Sequence, residues 1–127
     1  MVVEAKVSPS EDPGKVALAV ASVIGIAPEE VVISSGAATY SSEGLGSLEK
    51  LREQLRARRV RSAARAAMMR EAKGGHTVLM LNRQAAVAGV LAVCGNPEES
   101  PLGPVSVRIR SRDVVKVIEW LADYEGG

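Results

Sequence analysis

Between Ser47 and Ala72 the chain contains no glycine or proline and consists almost entirely of helix-favouring residues, so a helical segment must sit near its middle. Its apolar residues do not keep to one face. Leu48, Leu51 and Leu55 form one stripe, whereas Val60, Ala64, Ala67 and Met68 fall on roughly the opposite side at about 100° per residue. The slip near Ala57 to Arg59 predicts two helices, or one helix that kinks or changes partner there. Shorter elements flank this segment. Val2, Val3 and Val7 mark a first strand. SPSEDPG then opens a helix, with Ser8 and Glu11 at capping-box spacing, Asp12 as N-cap and Pro13 in the first turn. Val16, Val20, Val23 and Ile24 supply its buried stripe, and Gly25 ends it. Val31 to Ile33 read as a second strand, and SSGAATYSSEG beyond it either extends that strand or forms a loop. HTVLMLN and VAGVLAV are expected to be the third and fourth strands, joined by NRQAA. VSVRIR is a half-buried fifth strand, with Val105, Val107 and Ile109 on one face and Ser106, Arg108 and Arg110 on the other. Ser111 is expected to cap a last helix with Val114, Val117, Ile118 and Leu121 facing inward. The order β-α-β-α(α)-β-β-β-α predicts an α+β fold, a mostly antiparallel sheet covered by helices in two layers.

At 127 residues, one domain spanning 1–127 is expected. With no Phe, one Trp and two Tyr, its core must be filled by Val, Ala, Leu and Ile. No apolar run approaches the roughly 20 residues needed to span a bilayer, so no membrane role is expected. The opening VVEAKVS lacks the pattern of an export signal, and the lone Cys94 cannot close an internal disulfide. The cytoplasm is the expected compartment.

Charge is distributed unevenly. From Lys50 to Lys73 nine basic residues face two acidic ones, a net of +7, which leaves the rest of the chain at −6. Arg52, Arg56, Arg59 and Arg70 share one helical face, and Arg58, Arg61 and Arg65 share another. Two such rails suit a phosphate backbone, because a guanidinium donates in a planar fork. The competing explanation is that arginine stems cover the edges of an apolar stripe while their heads stay solvated. Asn82, Arg83 and Gln84 form a second polar patch, or hold their connection through hydrogen bonds to backbone. Trp120 and Tyr124, one turn apart, either cover the sheet edge or form a self-association surface.

Catalytic patterns are weak. His76 and Cys94 would approach each other if the third and fourth strands paired about Ala85, but no third residue orients them. One His and one Cys fall short of a zinc ligand set, so neither metal nor cofactor is expected. Ser47 and Lys50 have SxxK spacing without its companion motifs, and Ser47 is better explained as a helix cap. Gly44 and Gly46 precede that helix as a turn rather than a phosphate loop, since neither a Walker A nor a GxGxxG pattern is present. The neighbouring acids Glu29 with Glu30 and Glu98 with Glu99 are expected to be solvated loop charges.

Several stretches together resemble the archaeal uncharacterised protein family 0201: SPSEDPGKV, LEKLREQLRARRVRSAAR, LNRQAAVAGVL, ESPLGPVSV and VIEWLADY, nearly end to end. The family more often carries Lys at the position of Arg83, an acid at Ser62 and Thr at Ser10. The resemblance implies a fold like that of the large-subunit ribosomal protein that binds 5S ribosomal RNA. It also implies dimers, and the family has carried an RNA-binding label. The expected function is therefore a non-enzymatic protein binding RNA or a ribonucleoprotein through Arg52, Arg56, Arg58, Arg59, Arg61 and Arg65. The alternatives are a dimeric protein-interaction module whose arginines pair with the acidic remainder, and an enzyme using the 82–84 turn, which would require a deep pocket beside it.

Overall fold

The computed structural model describes residues 1 to 123. Helix α1 spans Pro13–Ile24 and follows strand β1, Val2–Lys6. Its start is as expected: Asp12 accepts the Gly14 N–H at 2.9 Å, and Pro13 occupies the first turn, where a missing N–H costs nothing. Its end is Gly25 at φ 69°. SSGAATYSSEG becomes a hairpin in which β2, Val32–Ser34, pairs with β3, Ala37–Ser41. Ser35 at φ 52° and Gly36 at φ 75° make the two-residue turn whose twist matches paired strands.

The helical run is two helices, α2 over Leu45–Ala57 and α3 over Arg61–Glu71. The break between them is a Schellman ending. The Val60 N–H donates to the Leu55 carbonyl at 3.2 Å and the Arg59 N–H to that of Arg56 at 3.2 Å, with Arg59 left-handed at φ 57°. The slipping apolar stripe is thereby explained. Leu51 and Leu55 are buried from α2, and Ala64, Ala67 and Met68 from α3 after the chain has turned. Ser47 does not cap α2. Gly44, at φ 86°, holds that position, and the buried Ser47 hydroxyl donates back to the Gly44 carbonyl at 3.0 Å.

Strand β4, His76–Leu81, forms as expected, but VAGVLAV is not a strand. Asn82 accepts the Ala85 N–H at 2.9 Å and starts a short helix, α4, over Arg83–Val87. Beyond it only an isolated bridge joins Val93 to Leu81. A short apolar run carries no period that separates strand from helix, and here the Asn82 cap decides. Strand β5, Val105–Arg110, precedes α5, Val114–Leu121, whose cap is Asp113 and not Ser111.

The sheet order is β2-β3-β1-β5-β4, antiparallel throughout. One face of β1, β3, β4 and β5, with Val3, Ala5, Ala38, Leu79, Leu81, Val105, Val107 and Ile109, is buried beneath the helices. The expected two-layer α+β fold is the fold observed. The other face carries no helix, and it presents Arg108 and Arg110 to solvent beside β4. Among the described residues no helix is long and apolar enough to cross a membrane.

Candidate functional site

Most of the arginine segment folds back on the protein. Arg52 donates from Nε to the Trp120 carbonyl at 2.9 Å and from Nη2 to Asp123 at 3.0 Å, with its guanidinium 4.9 Å from the Trp120 ring centroid. Arg61 reaches the other Asp123 oxygen at 3.3 Å, and Arg56 stands 4.0 Å away. Burial alone raises the Asp123 pKa, but the hydrogen bond and charge of Arg52, aided by Arg61 and Arg56, outweigh it and hold the carboxyl below its ordinary value. Arg65 lies 3.9 Å from Glu119, and Arg58 donates to the Ser22 hydroxyl at 3.1 Å. These contacts pin α2 and α3 to α5 and α1. Within the segment, Arg59 and Arg70 are exposed and have no ion pair among the described residues. Trp120 is half-buried against Arg52, and Tyr124 lies outside the described residues.

A second group of unpaired cations lies outside the helices. Lys73 and His76 exchange backbone hydrogen bonds of 2.8 and 3.0 Å across Gly74 and Gly75, at φ 57° and 80°. Gly75 is required: its carbonyl accepts the Ser111 N–H at 2.9 Å, and a Cβ there would sit 2.9 Å from the Ser111 oxygen. The turn is thus fastened to the end of β5, where His76 pairs in register with Arg110. A shallow cleft of about 490 Å³ lies between them, lined by Gly74, Gly75, His76, Arg110, Ser111 and Arg112. Arg108 is two residues back on the same open face. Lys73, Arg108, Arg110 and Arg112 are all exposed with no ion pair among the described residues. Sequence reading placed Arg108 and Arg110 on the polar side of a strand. It missed the cluster because the turn that brings Lys73 and His76 alongside is a tertiary contact.

The three residues of the 82–84 patch have different surroundings. Asn82 is the cap of α4, Gln84 is exposed, and Arg83 is buried with its side chain 4% exposed. Arg83 Nη1 donates to both Glu11 oxygens at 2.9 and 2.8 Å and to the Lys6 carbonyl at 2.7 Å, and Nε donates to the Gly103 carbonyl at 2.9 Å. Burial raises the Glu11 pKa, but hydrogen bonds from the Ser8 N–H and Arg83, with the Arg83 charge, hold it below the usual value. Nη2 has no partner. A buried donor left unmade costs about 1–3 kcal/mol.

The suspected catalytic groups do not assemble. The Cys94 N–H bonds the Met80 carbonyl, at the far end of β4 from His76, because the hairpin expected to join them never forms. Burial, with the charge of Glu99, pushes the Cys94 thiol up, away from a reactive thiolate. The Ser47 hydroxyl is committed to Gly44, and among the described residues no His, Cys, Asp or Glu cluster is suited to a metal.

No family model matches the chain. The UPF0201 protein of Sulfolobus acidocaldarius is 38% identical over 123 residues, covering 95% of this chain and 85% of that one. Its counterpart in Aeropyrum pernix is 38% identical over 127 residues, covering 96% and 83%. The crystal structure of the UPF0201 protein from Methanococcus jannaschii superposes with a TM-score of 0.73 at 26% identity, covering 95% of this chain and 97% of that one. Identity of this order along nearly the whole chain, on the same fold, makes the protein a member of the UPF0201 family.

Proposed function

We propose that this protein binds RNA, free or within a ribonucleoprotein, in the cytoplasm and without catalysing a reaction. The phosphate contacts are made by the open sheet face and the turn beside it. The observation that carries this reading is the separation of charge. Arg52, Arg58, Arg61 and Arg65 are engaged within the fold and the exposed Arg56 stands 4.0 Å from Asp123, whereas Lys73, Arg108, Arg110 and Arg112 stand together, exposed and unpaired. Unpaired guanidinium groups that keep their hydration and counterions are those able to exchange them for phosphate. Arg59 adds a free charge at a helix ending where glycine is the ordinary residue, so its side chain is kept at a conformational cost. The test is fluorescence anisotropy of a labelled structured RNA titrated with the protein at low and moderate salt. Saturable binding in which the logarithm of the binding constant falls linearly with the logarithm of salt concentration supports the reading. No binding at low salt sinks it.

A second reading, self-association, has its own observation. The edge strand β2 exposes Val32 by 63% and Ile33 by 45%, an apolar edge free to pair with a second copy. Light scattering at moderate salt tests it: a dimer converted to monomer by Val32→Lys supports pairing through this edge, and an unchanged mass refutes it.

A further inference from the structure

Arg83 is the only cationic side chain among the described residues that is fully buried, and its hydrogen bonding is incomplete. Of its five N–H groups, those on Nε and Nη1 are used by Gly103, Lys6 and Glu11, and the two on Nη2 meet no acceptor. Buried donors are almost always paired, so an orphan on a charged group calls for an acceptor that the chain does not supply.

Arg83 lines a cleft of about 300 Å³ where the start of α1 meets α4 and the turn from Ser100 to Gly103. That volume is at the small end of ligand sites. The polar wall is Glu11, Lys15 and Gln84; the apolar wall includes Val16, Val87 and Leu102. Glu11 is already engaged by Arg83 and by the Ser8 N–H, whereas Lys15 is exposed and has no ion pair among the described residues. Two cations against one carboxylate leave the cleft one negative charge short. Nη2 itself is screened from solvent and lies against Gly103, where an added Cβ would sit 3.7 Å from it. Leu102, the residue before Gly103 and part of the same cleft lining, has a left-handed backbone at φ 68° and is 58% exposed. A strained, exposed residue of that kind shifts more easily than a packed core residue.

We propose that this cleft binds a small aliphatic monocarboxylate. Its carboxylate supplies the missing charge and accepts from Arg83 Nη2 and Lys15 Nζ once Leu102 shifts, and its hydrocarbon lies on Val16 and Val87. This site is separate from the basic sheet face and does not depend on RNA binding.

The experiment is a titration of the full-length, 15N-labelled protein with sodium butyrate, followed by amide chemical shifts. Parallel titrations use butylammonium chloride, sodium chloride at matched ionic strength and inorganic phosphate. Butyrate should give saturable shifts at Lys15, Gln84, Leu102 and Gly103 with millimolar half-saturation, and butylammonium should give none. Lys15→Ala, a change at an exposed position that leaves the fold intact, should weaken butyrate about tenfold through loss of one charge-assisted bond. Shifts that fail to saturate, that match those of sodium chloride, or that survive Lys15→Ala unchanged overturn the proposal, because the orphaned N–H groups are then served by water. Tighter binding of phosphate than of butyrate overturns the carboxylate assignment.

Discussion

Replacing Glu11 by Gln should cost this protein about 3–5 kcal/mol, the usual penalty for stranding one member of a buried ion pair. The structure argues for that range and against the 0–1 kcal/mol of an exposed pair: the Arg83 and Glu11 side chains are 4% and 13% exposed, at 2.8 Å. Arg83 would keep its charge, with Nη2 already unpartnered. A folded chain of 127 residues is stable by about 6–19 kcal/mol, so the loss is a large share of the total. At about 2.1 cal/mol/K of unfolding entropy per residue, it lowers the thermal midpoint by roughly 11–19 °C. Urea unfolding followed by Trp120 fluorescence and by far-ultraviolet circular dichroism measures it directly. The pair also predicts a pH dependence. The Glu11 pKa is lowered on folding, so its contribution is complete above the ordinary carboxylate value near 4.3 and is lost as pH falls through the folded value. The gap between wild type and Glu11→Gln must therefore narrow in acid. Arg83→Met added to Glu11→Gln should cost less than the sum of the two single changes, since no buried charge remains. A loss below about 1 kcal/mol for Glu11→Gln, or a gap that widens in acid, would refute the reasoning.

Arg59→Gly should stabilise the protein by roughly 0.5–1 kcal/mol in urea unfolding, because relief of the left-handed arginine outweighs the added freedom of the unfolded chain; destabilisation would show that the Arg59 side chain makes a contact of its own. Asp123→Asn removes the carboxylate shared by Arg52, Arg56 and Arg61, and should raise RNA affinity and steepen its salt dependence; an unchanged salt slope would show that these guanidinium groups cannot reach phosphate even when released. Cys94 should react with a thiol reagent at pH 7 far more slowly in the native protein than in urea, and equal rates would contradict both its burial and its raised pKa.

Where local chemistry decides structure, the sequence was enough. Asp12, Pro13 and Gly25 bound α1, and the alternation of Val105, Val107 and Ile109 makes β5. The helix break was visible as a slip of the apolar stripe. Its mechanism was hidden because an arginine occupies the left-handed position that glycine ordinarily marks. Residues 87–93 misled for a different reason: a short apolar run is compatible with strand or packed coil, and the choice follows from the Asn82 cap that starts α4, which then packs on α1. The arginine rails were legible as charge, but their pairing with Asp123 and Glu119 depends on α5 returning beside α2 and α3. Arg83 is the sharpest case. Nothing local separates a buried arginine from an exposed one; Glu11 and Gly103, distant in sequence, bury it.

The most direct test of the account compares two variants for RNA binding across a salt series. One is Arg108, Arg110 and Arg112 all changed to alanine, and the other is Arg56 and Arg65 changed to alanine. If the unpaired cluster makes the phosphate contacts, the triple variant should lose most of its affinity, with a salt slope shallower by about two units for a single strand, while the double variant stays close to wild type. Full loss in the double variant with the triple variant unchanged would place the contacts on the helical arginines and contradict the account.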